Sequence, residues 1–399
     1  MAAVTFMFLS VDHGLAYEKC KSLFCKITEK TTRPPRLTDD NIVQRTNKPV
    51  GIENDEPEDI SQSSKLKILG QYCDLSDSET SVPGFVCKGQ LLFEDDFNND
   101  ISEDNIWTAE VRMPVQPDYP FNLYEDRAEV KNGKLQISPI TLASKYGTDF
   151  LRRSLSLRES CTGSTYEECY MEAFGPQILP PAITGKITTK RSFSFKYGRI
   201  EVKAKMPSGD WLVPLIQLEP RDNIYGSTNY ASGIIRIACV RGNIEFSKKL
   251  YSGAIVSESN PLRSAFVREK FGNQQWNKNY HNYTLVWSPD KLSLYVDGEK
   301  YGVIKPTKGF SEEAMKYNKT VSAKWMKGSL MAPLDEMFYI SIGLDVGGIH
   351  EFPDSPVPVK PWNNTSNRAM LDFWNARDSW YPTWSESTLS VDYIRIYAL

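Results

Sequence analysis

Along this chain, apolar and polar positions change places in short runs of period two, broken by Gly, Pro, Asn and Asp. The clearest run is Tyr197–Met206, where Ile200, Val202, Ala204 and Met206 alternate with Glu201, Lys203 and Lys205. That alternation predicts a strand with one buried and one wet face. Trp211–Leu218 is more continuously apolar, the pattern of a central strand covered on both sides. Ala128–Val130 and Leu135–Ile137 flank Asn132-Gly133, a pair that accepts positive φ and predicts a tight hairpin. Further strands are expected at Leu91–Phe93, Ile187–Phe195, Gly233–Ala238, Tyr283–Trp287, Lys291–Val296, Phe338–Leu344 and Leu389–Tyr397. One helix is expected over Ser311–Lys316, with Ser311 as its cap. Many short strands and few helices predict an all-β fold, an antiparallel β-sandwich of the jelly-roll type.

The pattern fades toward the N-terminus. Residues 31–70 hold Pro34-Pro35 and the acidic run Asn54–Asp59 without an apolar period, and read as a disordered linker. Residues 1–30 support two readings. The apolar run Ala2–Val11 with Gly14-Leu15-Ala16 behind it is signal-like, although no Lys or Arg precedes it and Asp12 and His13 follow. Alternatively, the segment is the remnant of a small N-terminal β module. The run is too short to span a bilayer, which needs about 20 apolar residues. The main domain is expected over 71–399.

Composition narrows the function classes. With 47 Lys+Arg against 50 Asp+Glu, the net charge of -3 gives no field directed at nucleic acid or an anionic membrane. Six of the 7 cysteines form close pairs, Cys20/Cys25, Cys73/Cys87 and Cys161/Cys169, which suit disulfides in an oxidising compartment. Cys239 is left over and is read as a small buried hydrophobe. With 3 His and no C-x-x-C, no metal site or cofactor is expected. Sequons at Asn282, Asn318 and Asn363 are compatible with secretion, so the expected location is extracellular. The 9 Trp either fill a core or face outward as platforms for sugar rings, and composition alone does not separate these.

Several longer stretches carry a family resemblance. They are GQLLFEDDFN (Gly89–Asn98), CTGSTYEEC (Cys161–Cys169), TKRSFSFKYGRIEVKAKMPSGDW (Thr189–Trp211), GGIHEFPD (Gly347–Asp354), KPWNNTS (Lys360–Ser366), DFWNARDSWYPTW (Asp372–Trp384) and VDYIRIYAL (Val391–Leu399). From Gly89 onward the chain resembles glycoside hydrolase family 16, a concanavalin A-like jelly roll. More narrowly, it resembles the insect Gram-negative-bacteria-binding and β-1,3-glucan recognition proteins, which use that fold without hydrolysis. Val11–Glu29 resembles the tail of the glucan-binding module that precedes the linker in those proteins.

The decisive stretch runs from Ser232-Gly233 to Arg241-Gly242-Asn243. Between such flanks the glucanases read close to E-I-D-I-x-E-x. Here the nucleophile position holds Ile234, the assisting Asp position Arg236 and the acid/base position Cys239. Retaining hydrolysis needs two carboxyl groups about 5–5.5 Å apart. Residues two apart share a strand face, and a bulge returns the third position to it. Glu219, Asp222 and Glu245 flank neighbouring turns and are not expected to substitute. Trp211 keeps the family's Gly-Asp-Trp, while Val213 and Gln217 replace aromatic positions and Gly343 replaces an Asn.

The resemblance thus implies no catalytic residues. It implies a secreted pattern-recognition protein of innate immunity that binds β-1,3-glucan or other microbial surface polysaccharide, with immune serine proteases as partners. Trp211, Tyr225, Asn229, Arg236, Arg241 and His281 are the candidate sugar contacts. Two alternatives stay open: an active endo-β-1,3-glucanase, and a protein-interaction scaffold for a protease cascade that has lost sugar binding.

Overall fold

The computed structural model of the chain describes residues 65–68, 71–103, 105–355 and 358–399. The segment 1–30, most of the expected linker and the Cys20/Cys25 pair lie outside the described residues. Across the expected boundary at residue 70, Lys65–Ile68 pairs antiparallel with Gln71–Asp74.

Two antiparallel sheets organise the rest, as the alternation predicts. The first is nine-stranded. In spatial order it runs Val267–Phe271, Lys249–Ile255, Ile234–Cys239, Leu212–Pro220, Phe338–Val346, Lys186–Thr188 and Thr108–Ala109, with Phe195–Lys196 and Glu79–Thr80 attached to one side. The second is eight-stranded. It runs Glu299–Ile304, Lys291–Val296, His281–Ser288, Gly198–Lys205, Leu389–Tyr397, Leu135–Ile137 and Ala128–Val130, with Leu91–Asp95 also paired to Leu389–Tyr397.

In Gly198–Lys205 the apolar positions Ile200, Val202 and Ala204 are buried while Arg199 is exposed, so the period-two pattern did set the face. The two sheets meet through large rings. Trp287 of the second sheet packs edge-on against Phe338 at 5.3 Å and Phe195 at 5.7 Å, both in the first sheet. A ring buried this way contributes about 3–5 kcal/mol against truncation to Ala.

Some expectations need correction. Ile187–Phe195 is not one strand: Lys186–Thr188 ends at a turn, and pairing resumes at Phe195–Lys196. The short helix spans Phe310–Met315 and its cap is Gly309, whose φ of 89° suits a residue without Cβ, so Ser311 lies inside it. Further helices occur at Lys319–Trp325 and Ala369–Asn375. The second buries Leu371, Phe373 and Trp374, and its aromatic density masked the helical period in the sequence.

The strand Ile234–Cys239 is held at both ends by its flanking residues. Gly233 has φ +66°, and a Cβ there would lie 2.7 Å from Leu334. The Ser232 hydroxyl accepts from the Tyr225 amide at 3.0 Å. At the far end, a Cβ on Gly242 would lie 2.2 Å from the Gly209 carbonyl oxygen. Asn243 Oδ1 accepts from the Trp211 amide at 2.9 Å. These four residues therefore have structural work to do, whatever the strand between them carries.

Candidate functional site: a cleft over the first sheet

The first sheet packs one face on the second; its other face floors a cleft of about 670 Å³. The lining follows strand period two: Leu215, Gln217 and Glu219 from one strand, Ile234 and Arg236 from the next, and Lys186 and Thr188, with Tyr339 and Asp345, from two others. The register sets where Cys239 stands, buried beneath the lining. Arg236 pairs with Gly253 and Cys239 with Tyr251, three residues against two, so a bulge returns Cys239 to the face of Ile234 and Arg236. The geometry that would gather three acidic side chains is intact, and it gathers an isoleucine, an arginine and a thiol. Cys239 is fully buried, and burial pushes its thiol up to about 11 despite nearby Arg236. A protonated, inaccessible thiol is inert.

Arg236 is committed to a buried ion cluster. It donates through Nη1 and Nη2 to both oxygens of Glu351 at 3.2 and 2.9 Å, a bidentate pair. Arg263 donates to Glu351 at 2.8 Å and to Asp118 at 2.9 Å, and the Tyr230 hydroxyl donates to Asp118 at 2.8 Å. Arg241 stands 3.9 Å from Glu351. Burial alone would raise the Glu351 carboxyl; Arg236, Arg263 and Arg241 together hold it well below the usual carboxylate range. The cluster ties the strand Ile234–Cys239 to the loop around Glu351, the loop around Asp118 and the short helix Leu262–Ala265.

Comparison with known proteins identifies the family. Residues 256–336 match the family model described as glycosyl hydrolases family 16. Beta-1,3-glucan-binding protein 1 of Galleria mellonella is 58% identical over 332 residues, 82% of this chain and 67% of that protein. Beta-1,3-glucan-binding protein 1 of Manduca sexta is 52% identical, covering 82% and 68%. Gram-negative bacteria-binding protein 1 of Drosophila melanogaster is 38% identical, covering 82% and 68%. The chain belongs to the family of β-1,3-glucan-binding and Gram-negative bacteria-binding proteins. Its fold is also that of the laminarinase catalytic domain of Thermotoga maritima, with a TM-score of 0.50 and 20% identity over 78% of this chain and 99% of that one.

Among the candidate contacts in this family member, Asn229 and Arg236 line the cleft. The other four do not. Trp211 is buried in an aromatic cluster, edge-on to Phe352 at 5.1 Å and Trp362 at 5.0 Å. Tyr225 braces a rim loop by donating to Asp335 at 2.8 Å. Arg241 lies over the Tyr251 ring at 4.6 Å. His281 belongs to the second sheet, where its Nδ1 is 2.7 Å from Asp297 and its ring meets Trp276 edge-on at 4.9 Å. Residues that the sequence reading passed over supply most of the polar floor: Glu110, Arg112, Lys186, Tyr339 and Asp345.

Glu219 also needs correcting. It still precedes the turn but lies inside the strand Leu212–Pro220, with its side chain facing the cleft. Burial opposes its charge, but Lys186, with hydrogen bonds from Gln217 and Tyr339, brings it down to about 2. Asp345 is the opposite case: burial pushes it up to about 6, and the Tyr124 hydroxyl donates to it. The two carboxyls are shifted in opposite directions but are not a catalytic pair. Glu219 is opposite Tyr339 and Asp345 opposite Val213, six residues apart on the same strands, so roughly 20 Å separates them.

Two outcomes follow for stability. Glu351→Leu orphans buried guanidinium groups and should cost about 3–5 kcal/mol in urea unfolding; adding Arg236→Leu removes one orphan and should recover part of that loss. An equal or larger loss in the double variant would contradict the pairing. For Asp345, the folded value near 6 lies above the ordinary 3.8, so the group destabilises as pH rises from about 4 and does so fully above 6. Asp345→Asn should therefore gain about 1–2 kcal/mol at pH 7.5, after allowing for partial exposure, and nothing at pH 4.

Proposed function

We propose that this protein is a non-catalytic, extracellular pattern-recognition protein of innate immunity whose cleft binds β-1,3-glucan or a related microbial surface polysaccharide. The observation that carries the reading is the strand Ile234–Cys239. Its frame, bulge and flanks are maintained beside an open cleft, while the three positions that would hold acidic groups hold Ile234, Arg236 and Cys239. The names of the relatives support a binding role. The Cys73–Cys87 and Cys161–Cys169 disulfides support an oxidising compartment. Among the described residues no helix is long and apolar enough to cross a membrane. Immune serine proteases are proposed as the downstream partners.

The competing reading is a working endo-β-1,3-glucanase, favoured by the likeness of fold to laminarinase. It needs a carboxyl pair about 5–5.5 Å apart. Glu219 and Asp345 stand too far apart, Glu219 and Glu110 are close but share the buried ammonium of Lys186, and Glu351 is consumed by three arginines.

The full chain should be retained on insoluble β-1,3-glucan and release no reducing ends from laminarin. A clean flow-through would favour the scaffold alternative, and released sugar would restore the glucanase. The triple variant Ile234→Glu, Arg236→Asp, Cys239→Glu should stay inactive and lose stability, because it sets a carboxylate against Glu351 in place of its cation. Robust turnover would show that the ion cluster does not block the chemistry.

A further inference from the structure

A second chain of charges crosses the cleft floor, apart from the Arg236 cluster. Glu219 Oε1 is 2.9 Å from Lys186 Nζ, which is 3.2 Å from Glu110 Oε1. Glu110 Oε2 accepts from Arg112 Nε at 2.7 Å, and Arg112 Nη1 donates to Glu168 at 2.6 Å. All five residues line the cleft. They start on Leu212–Pro220, pass over Phe338–Val346 to Lys186–Thr188 and the end of Thr108–Ala109, and finish on the loop closed by Cys161–Cys169. Lys186 is level with Leu215, four residues from Glu219, so the row runs obliquely, crossing three strand spacings or about 14 Å laterally.

Gly343 makes this arrangement possible. It is the register partner of Lys186, and a Cβ on it would lie 2.9 Å from both Cβ and Cγ of Lys186. A side chain at 343, such as the Asn expected of a glucanase, competes for the space of the lysine stem. Burial works against the charge of Lys186, yet Glu110 and Glu219 keep it protonated.

Resting on the reading that the cleft binds glycan, we infer that Glu219, Lys186, Glu110, Arg112 and Glu168 form a subsite that takes uncharged pyranose units and rejects acidic ones. Glu219 and Glu110 keep 14% and 15% of their side-chain surface exposed. With Tyr339 on Glu219 Oε2 and one cation on each Glu110 oxygen they retain lone pairs for sugar hydroxyls, whereas Glu168 Oε2 is already taken up by Ser164 and Thr165. Carboxylates accept such hydrogen bonds strongly. Lys186 is 5% exposed and shared between two carboxylates, leaving little for an anionic sugar. Three acids against two bases leave the row with one negative charge. Lys190 and Arg191 also line the cleft but are exposed, where water and salt screen them.

The test is titration of the full chain with a soluble β-1,3-gluco-oligosaccharide and with the same oligosaccharide oxidised to uronic acids. The wild type should favour the neutral ligand by at least about tenfold, with little dependence on salt. Glu219→Gln and Glu110→Gln should each weaken neutral binding by about tenfold, and together they should narrow the preference by reversing the charge of the row. Gly343→Asn, which displaces Lys186, should weaken it as well. Circular dichroism on each variant separates lost binding from lost fold. Equal affinity for both ligands, or unchanged neutral binding in the folded Gln variants, would overturn the subsite and leave the cleft reading standing. No binding of either ligand by the wild type would overturn both.

Discussion

The bidentate contact between Arg236 and Glu351 is the constraint around which the cleft is arranged. Two charges taken out of water at this depth are tolerable only with nearly complete partnering. Glu351 gains it from three guanidinium groups, and Arg263 carries the network on to Asp118 and Tyr230. One strand of the sheet is thereby fixed to the loops that form the cleft's wall. In a glucanase frame, the position of Arg236 would carry an acid that helps hydrolysis; here it carries the cation that anchors the wall. Catalysis and this anchoring exclude each other at that residue.

A second set of paired charges lies on the floor. Gly343 leaves room for the stem of Lys186, and the lysine draws Glu219 and Glu110 into an ion-paired row. The polar floor is thus built of internally compensated charges. Such a surface has carboxylates positioned to accept hydroxyls and little net field to attract ions.

Much of this fold was legible in the sequence, because period-two patterning sets which face of a strand is buried. Tyr197–Met206 and Leu389–Tyr397 were readable for that reason, and the bulge at Cys239 followed from the frame between Ser-Gly and Arg-Gly-Asn. The site was legible only in what it lacks. Ile234, Arg236 and Cys239 announce missing carboxylates, but a one-dimensional pattern cannot show that Glu351, 115 residues away, has become the partner of Arg236. Trp211 and His281 went astray for a related reason. Motif position gives the strand, while burial against Phe352 and Trp362, or membership of the second sheet, depends on packing between distant segments. Glu219 was misplaced by a boundary, since the strand Leu212–Pro220 continues two residues past the last clear apolar position.

The central claim is a cleft that holds a glucan and leaves it whole. The most direct measurement is calorimetric titration of the full chain with a β-1,3-linked gluco-oligosaccharide, followed by mass spectrometry of the sugar recovered from the cell. Saturable binding with every oligosaccharide recovered at its original length is the predicted result. Shortened products, or a titration without heat or saturation, would contradict it.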